Sequence, residues 1–181
     1  QYYYEHVHKR IDMPKIIINA REEILKEAKR QLLENGYSAT TIRSVAKATG
    51  IATGTVYNYF PSKDMLLASF MMEDWKEKLS SVTYNSGDKR EIIQGIYNAI
   101  ISFSNKYENL FKDKEALTAF NSSLGDKHPI LISQLASLVM DAMADKDDKE
   151  FISSFIAESL LSWAMRGTDF DRIYGIIEKL L

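Results

Sequence analysis

The sequence predicts an all-α protein, and three observations carry that prediction. Apolar residues recur at three- and four-residue spacing along most of the chain. No stretch alternates β-branched with polar residues between turn signals. Only 3 prolines and 8 glycines occur in 181 residues, so long irregular segments have little room. With 45% hydrophobic and 27% charged residues, the chain can bury a sizeable core, as one domain or as a small module fused to a larger one.

The elements follow in order. Residues 1–15 are aperiodic and tyrosine-rich, and are expected to form a flexible tail; Lys9, Arg10 and Lys15 in and beside it have the composition of a basic minor-groove arm. After Pro14, the residues Ile17, Ile24, Leu25, Ala28, Leu32 and Leu33 form one helical face that ends at Gly36, a residue suited to the left-handed position after a helix. Thr40 and Thr41 are N-cap candidates for a short helix through Thr49, and Gly50 breaks it. Residues Thr53 to Tyr59 can make two further turns. Ser62, with Asp64 behind it, starts a long helix carrying Met65, Leu66, Phe70, Met71, Trp75 and Leu79.

A second stripe runs from Ile92 to Phe103, and a third from Leu110 to Phe120, with a break expected at 121–125. Pro129 is tolerated at a helix start, and Ile130 to Met143 follow. Phe151 to Met165 form an apolar helix closed by Gly167, and Asp169 caps the last one. The expected division is a three-helix module over 16–62 and a helical domain over 63–181.

The stretch ATGIATGTVYNYF, residues 48–60, is glycine- and threonine-rich, as phosphate-cradling loops are. The spacing excludes that reading. Gly50 and Gly54 are one residue too close for a G-x-x-x-x-G-K-[ST] loop, no lysine follows Gly54, and no strand precedes. A helix-turn-helix fits instead: Ala46 is the small residue between the helices, Gly50 makes the turn, and Ile51 and Val56 anchor the pair. The second helix then exposes Thr53, Gly54, Thr55, Tyr57, Asn58 and Tyr59, uncharged groups suited to phosphates and base edges. Gly54 costs about 1 kcal/mol within a helix, which is intelligible if the backbone must approach something closely. Net charge is −2, but between Gly36 and Lys63 the only charged residues are Arg43, Lys47 and Lys63. Phe60 is expected in the core.

TTIRSVAKATGIATGTVYNYFPSKDMLL resembles the DNA-binding signature of the TetR family of transcriptional regulators, and the resemblance covers roughly Ile17 to Phe70. It implies that Thr41 caps the first helix of the motif and that Arg43 reaches a phosphate or base edge. Thr53, Gly54 and Thr55 would lead the recognition helix, Tyr57 and Tyr59 would contact backbone or bases, and Lys63 would hold a phosphate. Two positions depart from the pattern. Ala52 replaces the usual serine cap, so Thr53 is expected to cap one residue late. Thr53 also replaces a frequent basic residue, which weakens the salt-dependent part of binding.

Beyond Phe70 the resemblance is architectural. It implies a homodimer, double-stranded operator DNA as partner, and a small-molecule effector that releases a repressor. For the effector, an apolar or aromatic site is expected among Phe70, Trp75, Phe103, Tyr107 and Phe120, although plain core packing explains such a stripe equally well. For the dimer, Phe155, Ala157, Ser162 and Trp163 are expected at the interface, because the helix from Phe151 to Met165 is apolar on more than one face.

Other functions are weakly supported. Cysteine is absent, which removes disulfides and thiolate chemistry and fits a cytoplasmic protein. His6 and His8 beside Glu5 have metal-ligand spacing but sit in the tail, and no Ser/His/Asp arrangement is visible. No enzyme activity, cofactor or metal is expected. No stretch approaches the roughly 18 apolar residues of a membrane span, so no membrane partner is expected. The remaining alternative is a helical interaction protein whose C-terminal domain binds a protein partner.

Overall fold

The computed structural model describes residues 19–82, 88–124, 128–143 and 147–181. These fold into α1 (Ala20–Ala39), α2 (Ile42–Thr49), α3 (Thr53–Tyr59), α4 (Lys63–Ser80), α5 (Lys89–Lys106), α6 (Glu108–Lys112), α7 (Lys114–Leu124), α8 (His128–Asp141), α9 (Lys149–Met165) and α10 (Phe170–Ile177), with no strand among the described residues. The protein is all-α, as its periodicity predicts. The tail with Glu5, His6 and His8 lies outside the described residues, and so does the side chain of Phe120.

Local chemistry explains the helix ends. Gly36 adopts φ +80° and interrupts the regular path of α1 there. Thr40 is buried and closes the kink by donating its hydroxyl to the Gly36 carbonyl at 2.8 Å, which leaves Thr41 as the cap of α2. Ser62 accepts from the Met65 amide at the start of α4, and Asp169 accepts from the amides of Asp171 and Arg172 at the start of α10. Between Leu110 and Phe120 the single helix expected is two, because the Asp113 carboxylate accepts from the amides of Glu115 and Ala116 and begins a new helix. The break expected at 121–125 comes later, since α7 runs through Leu124; asparagine and serine lower helix propensity by only a few tenths of a kcal/mol.

Two apolar cores result. The first gathers Ile24, Leu25, Ala28 and Leu32 of α1, Val45 and Val56 of the short helices, and Leu66, Leu67 and Phe70 of α4. Tyr107, Leu110 and Ala116 also enter it, so α6 and α7 brace the N-terminal module from outside the 16–62 segment. The second core packs Trp75 and Leu79 of α4 against Ile93, Ile96 and Ile100 of α5, Leu135 and Val139 of α8, Ile156 and Leu160 of α9, and Ile173 and Ile177 of α10. α4 contributes to both.

Helices α8 and α9 pack side by side, joined near their start and middle by His128 Nε2 lying 2.9 Å from both Glu158 carboxylate oxygens. Their outer side carries exposed apolar residues: Ile130, Phe151 (73% exposed), Phe155 (52% exposed) and Met165. Of the residues expected at a dimer contact, Phe155 and Ser162 lie on this outer side and Trp163 is half-buried against the core. Ala157 does not. It is 0% exposed, facing inward with Ile156 and Leu160, because the small side chain lets α9 sit close to its neighbours within the subunit.

Candidate nucleic-acid interface

The short helices α2 and α3 are held in a fixed relation by a small set of contacts. Thr41 and Ser44 form a reciprocal capping box: the Ser44 amide donates to the Thr41 hydroxyl, and the Thr41 amide donates to the Ser44 hydroxyl at 2.9 Å. Ser44 is held in turn by the buried Gln31 of α1, whose carbonyl oxygen accepts from its hydroxyl at 2.6 Å. Gln31 is a site-supporting residue that periodicity could not reveal, since it occupies the apolar face of α1 as a polar exception. At the other end of α2, Gly50 adopts φ +69°, and the Ile51 amide turns back to the Ala46 carbonyl at 3.1 Å. Ala46, Ile51 and Val56 are buried where the two helices meet, the arrangement that a helix-turn-helix requires.

A Cβ at Gly50 would meet nothing within 4 Å, so only the backbone conformation demands glycine there. Gly50→Ala is therefore expected to cost about 1–2 kcal/mol in a urea titration, the penalty for a left-handed residue with a side chain. A loss below about 0.5 kcal/mol would show that the turn relaxes freely.

The outer side of the pair is polar and hydroxyl-rich. Thr55, Tyr57 (48% exposed), Asn58 and Tyr59 project from α3, with Gly54 exposed and Thr53 half-buried at its start. Thr41 and Arg43 are exposed at the start of α2. Thr53 is not the cap it was expected to be. The helix begins at Thr53, and Ala52 occupies the cap position without a side-chain hydrogen bond. The amides of Thr55 and Val56 bond to the Ala52 carbonyl, so the main chain alone sets the start.

A cleft of about 450 Å³ brings part of the predicted set together: Thr41 and Arg43 of α2, Tyr57 of α3 and Lys63 of α4 line it, with Pro61 and Ser62. Thr55, Asn58 and Tyr59 stand outside it on α3. Lys63 is half-buried rather than free in solvent. Its ammonium donates to the Tyr37 carbonyl at 3.1 Å and lies 3.4 Å from the Tyr37 ring centroid. Burial pulls its pKa below the usual lysine range, against the opposing carboxylates of Asp64, Glu115 and Asp113. Tyr37, whose hydroxyl donates to Asp64 at 2.8 Å, thus positions Lys63, a role with no signal in the sequence beyond an aromatic residue after Gly36. A rigid surface of hydroxyl, amide and guanidinium groups suits phosphate oxygens and base edges.

This module coincides with a known family signature: the model for bacterial regulatory proteins of the tetR family matches residues 24–70, from α1 into α4. The N-terminal module is that of the TetR family. The HTH-type transcriptional repressor AcnR of Corynebacterium efficiens is 34% identical over 68 residues, which cover 38% of this chain and 36% of that protein. The match to this relative therefore spans about a third of its length and lies in one module. The HTH-type transcriptional regulator UidR of Escherichia coli K12 is 24% identical over 173 residues, covering 88% of this chain and 81% of that one. Among solved structures, Salmonella enterica GusR superposes with a TM-score of 0.60 at 18% identity, covering 89% of this chain and 94% of that one, a likeness of fold. Among the described residues no helix is long and apolar enough to cross a membrane.

Proposed function

We propose that this protein is a TetR-family, sequence-specific DNA-binding transcriptional regulator, acting as a two-fold dimer that represses and is released from its operator by a small apolar or aromatic molecule. The observation that carries the DNA-binding part is the exposed, uncharged, hydrogen-bonding face of α3, presented on a buttressed helix-turn-helix with Arg43 and Lys63 beside it. The exposed apolar side of α8 and α9 supports the dimer, which would set two copies of α3 about one DNA turn apart, roughly 34–36 Å.

Gly54 offers the sharpest test. A Cβ there meets nothing within 4 Å, so Gly54→Ala is expected to leave the fold intact and to stabilise it by up to about 1 kcal/mol. Operator affinity should fall at the same time, because the added methyl stands where phosphate and backbone meet. Tyr59→Phe and Thr55→Ala should each alter base preference, by about 1–3 kcal/mol where a base contact is lost. A stabilised Gly54→Ala protein that binds every duplex like the parent would remove the basis of this reading.

The effector part rests on the aromatic cluster formed by α4, α5, Tyr107 after it and α6. Phe103 lies 5.2 Å from Trp75, 5.0 Å from Tyr107 and 6.2 Å from Phe111, and Phe70 lies 6.3 Å from Tyr107. Trp75 also donates its indole N–H to Gln134 at 2.9 Å. An effector would enter by displacing these rings, tilting α4, which starts beside the interface. Hydrophobic compounds should quench Trp75, in a protein with Trp163 replaced by phenylalanine, over the concentration range that releases DNA. Coupling of about 1–3 kcal/mol would change affinity about 5- to 150-fold. Quenching without release, or release without quenching, would count against the switch and favour a protein partner for the C-terminal domain.

A further inference from the structure

The two apolar cores meet across α4, and at the seam between them lies a carboxylate. Asp74 is 6% exposed, flanked by Phe70 and Met71 of the first core and Trp75 of the second. Burying a charge costs several kcal/mol unless donors replace its water. Here they come from both sides of the seam. Lys29 of α1 reaches one carboxylate oxygen at 2.5 Å. Lys106, at the end of α5, pairs with the other oxygen, and the buried Tyr107 hydroxyl donates to that same oxygen at 2.5 Å. Burial opposes ionisation, but the bonds from Lys106, Lys29 and Tyr107 outweigh it and hold the carboxyl below the ordinary aspartate range.

The residues on either side add to the same junction. Glu73 accepts from Arg21 of α1 at 2.9 Å, and Trp75 bonds Gln134 of α8. Three consecutive residues of α4 therefore tie it to α1, to the end of α5 and to α8. Apolar contacts alone leave a packed helix free to slide or tilt by small amounts; a buried ion with directional donors selects one arrangement.

We propose that Asp74, clamped by Lys29, Lys106 and Tyr107, is a positioning residue that fixes the angle of the α2–α3 module on the helical body, and so the half-site separation that the dimer reads. The proposal rests on the regulator reading above. Its lever arm is α4 itself: Lys63 lies eleven residues before Asp74, about 16 Å along the helix. A tilt of about 12° at the seam moves that end by about 3.4 Å, the rise of one base pair.

The test uses the full-length protein and duplexes that it selects from a random library. From the selected sequence come a single half-site and a series of paired half-sites whose separation changes in single base-pair steps. Wild type is expected to discriminate between separations by about 5-fold or more, within the range of ordinary site-to-site coupling. In Asp74→Asn, Lys106→Met and Tyr107→Phe that discrimination should fall to about 2-fold or less while single half-site affinity is kept. Tyr107→Phe removes only a hydroxyl, so it stands as the variant that folds if Asp74→Asn does not. A spacing profile unchanged in these variants, or affinity lost equally for every duplex, would overturn the proposal. A wild type that reads half-sites but ignores their separation would overturn it and leave the regulator reading standing; one with no sequence preference would overturn both.

Discussion

Phe155→Lys is expected to give a folded monomer, and Ala157→Lys, two positions along the same helix, an unfolded chain. The contrast follows from the two sides of α9. Phe155 is half-exposed on an outer surface shared with Ile130, Phe151 and Met165, where a lysine is well solvated in the isolated subunit and intolerable against a second apolar surface. Ala157 is fully enclosed with Ile156 and Leu160, so an ammonium there has neither water nor a partner. That penalty is comparable to the roughly 5–15 kcal/mol that holds a domain folded. Sedimentation at micromolar concentration should show wild type as a dimer and Phe155→Lys at half its mass with unchanged helicity. The monomer should also lose about 10²- to 10⁴-fold in operator affinity, the advantage of two linked half-sites over one. A wild-type monomer, or a Phe155→Lys protein that remains dimeric, would move the interface elsewhere.

That contrast marks the limit of what the sequence discloses. The apolar character of α9 was legible, because Phe151, Ile152, Phe155, Ile156, Leu160 and Leu161 crowd more than one face. Which face turns outward was not, since alanine and serine fit either side and only packing against α5, α8 and α10 decides. The helix-turn-helix was legible almost residue by residue, as its turn, caps and anchors are local: Thr41, Gly50, Val56 and Ser62 stand where their chemistry requires. The supports of that site were not. Gln31 under Ser44 and Tyr37 under Lys63 act across 13 and 26 residues, and no spacing rule links such pairs. The Thr53 cap failed for the opposite reason: a purely local preference gave way to the main-chain geometry that starts at Ala52.

Phe103→Ala is the second large effect expected, and it addresses how the two halves of the molecule are joined. Phe103 packs against both cores, edge-on to Trp75 of one and tilted on Tyr107 of the other. Removing a buried phenylalanine costs about 3–5 kcal/mol; because this ring is only half-buried, a loss near 3 kcal/mol is expected. The shape of the unfolding curve should change as well. In wild type, indole fluorescence, which reports chiefly on the second core through Trp75, and helicity, which reports on both, should follow one urea transition. With the ring gone, the seam retains the Asp74 cluster but loses its apolar bridge, and the two probes should separate. Phe103→Leu keeps most of the volume and should restore coincidence at a cost below about 1.5 kcal/mol. Coincident curves in Phe103→Ala with a loss under about 1 kcal/mol would mean that the charged cluster alone joins the cores.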